Sequence, residues 1–217
     1  MKTGILFDLD GTLLDTLQDL ADSVNHTLAQ FGHPEHTVAE IRSYLGNGAR
    51  NLIEQSLPKQ VDEATVDAVL DAYQDWYDTH NRIKTKPYDG ILEALAELKQ
   101  EYPVAIVSNK PDRAVKPMCQ AYFGGEFFAL GQTDAIPRKP APDMVFAAMQ
   151  AIGADKCIFV GDSEVDVLTA KNAGVPCLTV LWGFRDKDFL GENGAEHFCD
   201  DPKKLVDCLK ELIENGK

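Results

Sequence analysis

The sequence predicts an α/β fold: a doubly wound parallel sheet with an all-α segment inserted near its start. Three observations predict it. From about residue 88 onward, short apolar runs of strand length alternate with helical patterns. Those runs are apolar nearly throughout, as in strands covered by helices on both faces. Residues 16–81, by contrast, carry helical spacing only, with no convincing strand.

The elements follow in order. Gly4-Ile5-Leu6-Phe7 is a short buried strand that stops at Asp8-Leu9-Asp10-Gly11-Thr12. In the helical block, Leu17, Leu20, Val24 and Leu28 line one helix. Ile41, Leu45, Leu52, Ile53 and Leu57 line a second, and Val66, Val69, Leu70, Tyr73, Trp76 and Tyr77 a third. A helix over 89–101 leads to a strand over 104–108. A helix over 112–122 leads to the apolar run 127–130, and one over 143–152 to a strand over 157–161. A helix over 164–173 precedes the run 176–181, and a last helix spans 202–214. The domain reading is a core of 1–15 and 82–217 with a helical insertion over 16–81.

Composition narrows the function. The 217 residues carry 35 acidic and 21 basic side chains, a net charge of −14, which argues against a nucleic-acid partner. A small anionic substrate stays open, because a site needs only a few local cations or a metal. No apolar run approaches the roughly 18 residues of a membrane span, and Asp8 and Asp10 break up the N-terminal stretch where a secretory signal would lie. The five cysteines are scattered without a CxxC, so free thiols in a cytoplasmic protein are expected. His26, His33, His36, His80 and His197 show no ligand spacing and read as structural or exposed. Oligomeric state is expected to be monomer or homodimer.

Chemistry in a parallel sheet sits at the carboxyl ends of the strands. The first strand ends in Asp8 and Asp10, which would share a side if the segment stays extended, with Gly11 allowing a sharp turn. Two close carboxylates need a cation, a shared proton or separation. They suit a nucleophile beside an acid/base, or else a turn and a cap. The next strand ends in Ser108-Asn109, which can bond an oxyanion or cap a loop. In Arg138-Lys139-Pro140-Ala141-Pro142-Asp143 two prolines stiffen the backbone that presents Lys139. A later strand ends in Gly161-Asp162-Ser163-Glu164-Val165-Asp166, where Asp162 suits a metal ligand and Ser163 with Asp166 has capping-box spacing. Hard oxygen ligands without His or Cys point to magnesium rather than zinc.

The motifs FDLDGT, VSN, RKPAPD and GDSEVD, in this order, resemble the haloacid dehalogenase superfamily over nearly the whole chain. Leu45-Gly46-Asn47-Gly48-Ala49-Arg50 and Trp182-Gly183-Phe184 are similar to its phosphoglycolate phosphatase group. The resemblance implies a Rossmann-like core with an all-α cap domain over 16–81. It implies a magnesium-dependent phosphatase acting on a small phosphorylated metabolite, 2-phosphoglycolate first. Asp8 would be the nucleophile and form an aspartyl-phosphate, and Asp10 the acid/base. Ser108 and Lys139 would hold the phosphoryl group, assisted by Asn109 and by the backbone around Gly11 and Thr12. Asp8, Asp162 and the backbone carbonyl of Asp10 would hold magnesium, and Asp166 would ligate through water or orient Lys139. Arg50 would pair a substrate carboxylate, or lie solvated in a plain interhelix turn. Trp182 and Phe184 read as packing. Pyrophosphate, nucleotide and sugar-phosphate phosphatases share this layout. A phosphonate hydrolase, a phosphomutase and a non-catalytic binding module fit the residues less well.

Overall fold

The computed structural model describes residues 1–215. Six strands form one sheet in the order β5-β4-β1-β6-β7-β8, every pair parallel. They are β1 (Thr3–Phe7), β4 (Val104–Pro111), β5 (Phe128–Gln132), β6 (Lys156–Gly161), β7 (Cys177–Val180) and β8 (His197–Cys199). β1 lies in the middle, with Phe7 beside Ile106 on one side and Val160 on the other. The chain builds outward from β1 through β4 and β5, then returns to the other side with β6. That reversal opens a crevice at the carboxyl ends of β1, β4 and β6.

Strand alternation divides the core in two. Ile5 and Phe7 face one layer with α5 (Ile91–Glu101), α6 (Asp112–Phe123) and α10 (Leu205–Asn215). Leu6 faces the other with α7 (Asp143–Ile152) and α8 (Glu164–Ala173). The central strands are buried on both faces, which is why they read as continuous apolar runs.

The chain divides into two compact units, Met1–Leu14 with Pro87–Lys217, and Asp15–Lys86. β2 (Leu14–Asp15) pairs with β3 (Lys86–Pro87) as a separate two-stranded ribbon. The second unit holds α1 (Leu17–Gln30), α2 (Val38–Tyr44), α3 (Gly48–Ser56) and α4 (Glu63–His80). The single helix expected over 41–57 is thus two. Gly46 has φ 112°, a conformation no helix continues through. α2 begins with a capping box between Thr37 and Glu40.

The helical unit also runs past residue 81. Asp19, buried in the first turn of α1, accepts hydrogen bonds from the amides of Ile83, Lys84 and Thr85, each at 2.9 Å. One carboxylate therefore secures the returning chain. Asp19→Ala leaves three amide donors without it, and a loss of about 2–3 kcal/mol is expected. Urea unfolding measures this, and a change below about 0.5 kcal/mol would show that water replaces the carboxylate without cost.

Four elements were not expected from sequence: the short strands β2 and β3, the strand β8 and the helix α9 (Lys187–Glu192). β8 is a three-residue edge strand whose pairing to β7 is carried by main chain, so side-chain pattern does not announce it. Among the described residues, no helix is long and apolar enough to cross a membrane.

Candidate active site

Four segments meet at the carboxyl end of the sheet. Asp8 follows β1, Ser108 and Lys110 lie on β4, Lys139 precedes α7, and Asp162 follows β6. Lys139 is almost completely buried, and its ammonium lies 2.8 Å from Asp8 Oδ1 and 2.7 Å from Asp166 Oδ1. Asp166 is saturated by its own turn. Its Oδ2 accepts from Ser163 Oγ at 2.6 Å, from Ser163 N at 3.1 Å and from Asp162 N at 3.2 Å. This is the capping box that the Ser163–Asp166 spacing predicts, and its second oxygen is what orients Lys139.

Asp162 is held as firmly. Thr12 Oγ1 donates to its Oδ1 at 3.2 Å and Phe184 N to its Oδ2 at 2.7 Å. Two glycines let the backbone come this close. A Cβ on Gly11 (φ 82°) or on Gly183 would lie 2.4 Å from Asp162 Oδ2. Trp182 anchors the same corner by donating from Nε1 to the Thr12 carbonyl at 3.0 Å. The packing role expected of Trp182 and Phe184 therefore includes orienting Asp162, through the Phe184 amide rather than its ring.

The electrostatics are those of a cation site short of positive charge. Burial, against the lowering effect of Lys139, pushes the Asp8 carboxyl up to about 7, with Asp166 and Asp10 adding to the rise. Burial likewise raises Asp162 well above the usual carboxylate range, and the charges of Asp166 and Asp8 raise it further. Burial would depress Lys139, but Asp166 and Asp8 outweigh it and hold the ammonium above its ordinary value.

Asp8, Asp162 and Asp166 each offer an oxygen within 4.8 Å of the others. Fully ionised, the three carboxylates beside the Lys139 ammonium would leave two negative charges uncompensated. An all-oxygen, buried cluster of this kind fits a hard divalent cation, which would supply the missing charge.

Asp10 sits differently from the expectation. Its carboxylate lies outside that cluster and pairs through both oxygens with Lys110, at 2.8 and 2.9 Å. The reason is local: β1 ends at Phe7 and the chain bends at Leu9, so alternation does not carry Asp8 and Asp10 to a common point. The metal role inferred for Asp10 rests on its backbone carbonyl, not on this carboxylate.

Lys110 was not singled out in the sequence. β4 was expected to stop at 108, yet it continues to Pro111. Ser108 and Lys110 then lie two apart on one strand, in the stretch between Val107 and Pro111 where the register with β5 shifts. Ser108 Oγ accepts from Lys110 N at 3.2 Å, and Asn109 Nδ2 donates to the Lys139 carbonyl at 2.9 Å. So Asn109 secures the lysine loop.

Arg50 opens α3, as expected, but carboxylates of its own unit engage it. Its guanidinium lies 2.6 Å from Asp67, 2.6 Å from Glu63 and 2.9 Å from Glu54. A substrate carboxylate would compete with all three.

Comparison with known proteins gives consistent findings. A family model described as haloacid dehalogenase-like hydrolase matches residues 5–180. The chain is 34% identical over 221 residues to a phosphoglycolate phosphatase of Pseudomonas fluorescens (strain Pf0-1), covering 97% of this chain and 81% of the relative. It is 37% identical over 191 residues to a phosphoglycolate phosphatase of Mesorhizobium japonicum, covering 84% of each. A crystal structure from Lactobacillus delbrueckii subsp. bulgaricus, provisionally described as a phosphoglycolate phosphatase, superimposes with a TM-score of 0.90 at 36% identity. It covers 96% of this chain and 99% of that one.

Proposed function

The chain belongs to the haloacid dehalogenase-like hydrolase family, and we propose that it hydrolyses a small phosphate monoester, 2-phosphoglycolate, to glycolate and phosphate through an aspartyl-phosphate on Asp8. The observation that carries the reading is Lys139 clamped between Asp8 and Asp166 beside Asp162, at the crevice of the sheet. The substrate rests on the relatives of that name. Arg50, already engaged by three carboxylates, is given no substrate role. Five unbridged cysteines favour a cytoplasmic location.

The residues divide the work. The Asp8 carboxylate attacks phosphorus and the ester P–O bond breaks. Asp10 protonates the leaving oxygen, then takes a proton from the water that hydrolyses the aspartyl-phosphate. Ser108 Oγ and the Lys139 ammonium hold the phosphoryl group, with Asn109 securing the Lys139 loop. The backbone of Gly11 and Thr12 lines the turn. Asp8, Asp162 and the Asp10 carbonyl would hold magnesium, which when bound offsets the repulsion between carboxylate and phosphate.

The test is phosphate release, with and without magnesium, from 2-phosphoglycolate, pyrophosphate, nucleoside monophosphates and sugar phosphates. Magnesium-dependent release is expected, with the highest kcat/KM on 2-phosphoglycolate. A peak on pyrophosphate or a nucleotide would keep the chemistry and replace the substrate. No release from any of them would overturn the hydrolase reading.

A further inference from the structure

We propose that Lys110 is a positioning residue that aims the Asp10 carboxylate, an inference that rests on the hydrolase reading above. Among the described residues, Lys110 and Lys139 are the two buried lysines. The lysines of the other ion pairs described, Lys84, Lys99, Lys116, Lys204 and Lys210, are 39–65% exposed. A lysine is rarely buried unless a partner compensates the lost hydration. Lys139 is accounted for by the phosphoryl site. Lys110, with its side chain 4% exposed, is not.

Its backbone is built into place. The Lys110 amide donates to Ser108 Oγ, and its carbonyl lies against Gly131 on β5. A Cβ on Gly131 would come within 2.8 Å of that carbonyl and 2.5 Å of Asp112 Cα, so β5 can press this close only as glycine. Gly131 N also donates to Asp112 Oδ1 at 3.1 Å. The ammonium thus issues from a fixed strand and meets both oxygens of Asp10.

A carboxylate held through both oxygens cannot rotate freely. Proton transfer depends steeply on such alignment, and a misplacement of about 1 Å can cost on the order of 100-fold. Lys110 itself transfers no proton. In the first half-reaction the bond from Asp8 Oδ to phosphorus forms and the ester P–O bond breaks. The proton passes from the Asp10 carboxyl to the leaving oxygen while Lys110 keeps hold of the other oxygen. In the second, water oxygen bonds phosphorus, the Asp8–phosphorus bond breaks and Asp10 recovers a proton from that water.

An aimed acid matters for a basic leaving group and little for an acidic one. The experiment compares kcat/KM for 2-phosphoglycolate and for 4-nitrophenyl phosphate, whose phenolate leaves without a proton. This ratio reports the steps through phosphoryl transfer and is blind to later hydrolysis. Lys110→Met is expected to lose about 100-fold on 2-phosphoglycolate and about 3-fold or less on 4-nitrophenyl phosphate. Lys110→Arg, which keeps the charge, should recover part of the first loss. In an Asp10→Asn background, Lys110→Met should add no further loss on 2-phosphoglycolate, a readout that general damage to the fold would not give. Equal losses on both esters, no loss on either, or full additivity with Asp10→Asn would overturn the role of Lys110 and leave the hydrolase reading standing. Wild-type protein inactive on both esters would overturn that reading and this inference with it. Should Lys110→Met fail to fold, the Lys110→Arg comparison across the two esters decides alone, a loss confined to 2-phosphoglycolate supporting the role and an even loss overturning it.

Discussion

Asp8→Asn protein is expected to fold normally and to lose phosphate release by about 10⁴-fold or more, as removal of a covalent nucleophile does. The amide keeps the shape of the side chain but has no charge to attack phosphorus. Freshly purified protein, with deamidation excluded by mass spectrometry, is the material to assay. Turnover within tenfold of wild type would sink the assignment. The same variant has a stability signature in metal-free buffer. Burial raises the Asp8 carboxyl from its ordinary 3.8 to about 7 in the folded chain. A raised acid binds its proton more tightly folded than unfolded. Its contribution is therefore fully present below about pH 4 and lost as pH rises through about 7. Wild-type protein should lose on the order of a few kcal/mol across that window. In Asp8→Asn that part of the pH dependence should flatten. Urea midpoints at pH 5 and pH 8 measure it, and parallel shifts in the two proteins would contradict the burial of Asp8 as the cause.

Lys139→Met should damage both activity and fold. Among the described residues, the ammonium is the positive group that pairs with both Asp8 and Asp166, and its removal leaves buried carboxylates without it. Breaking a buried ion pair from one side costs about 3–5 kcal/mol. The cost should depend on pH in a definite sense. Without Lys139 to lower it, the Asp8 carboxyl titrates higher still, so protonation relieves the repulsion as pH falls. The variant should be most destabilised above pH 8 and partly recovered near pH 5. Activity should fall about 10³-fold, because the loss removes charge stabilisation at the transferring phosphoryl group. Arginine is not expected to rescue it, since its planar fork does not fit a site shaped for a point charge. Equal destabilisation at both pH values would show that lost packing against Phe159, whose ring lies 5.3 Å from the ammonium, outweighs the charge.

Much of this was legible in one chain of letters. Apolar runs of strand length marked β1, β4 and β6. The residues that follow such runs, Asp8, Ser108 and Asp162, lie at the crevice because parallel strands all end on one side. Gly11 was readable as a turn, and its positive φ bears that out. The Ser163–Asp166 spacing announced a capping box that is present. Less legible was anything depending on where an element stops. β4 runs three residues beyond its expected end, and that extension brings Lys110 to Asp10. Gly46 divides a helix that apolar spacing alone draws as continuous.

The sequence by itself determined the α/β alternation, the place of the helical insertion and the order of acidic and hydroxyl groups at strand ends, with a lysine in the loop before α7. Each depends on spacing within a few residues, where backbone geometry dictates which side chains share a face. Tertiary structure alone decided the pairings: Lys110 with Asp10, the Phe184 amide with Asp162, and Arg50 with Asp67 and Glu63. The first two join residues 100 and 22 positions apart, and the third joins two helices across a turn. Spacing within one element cannot specify such meetings, because sheet register, two close-packed glycines and helix packing bring the partners together.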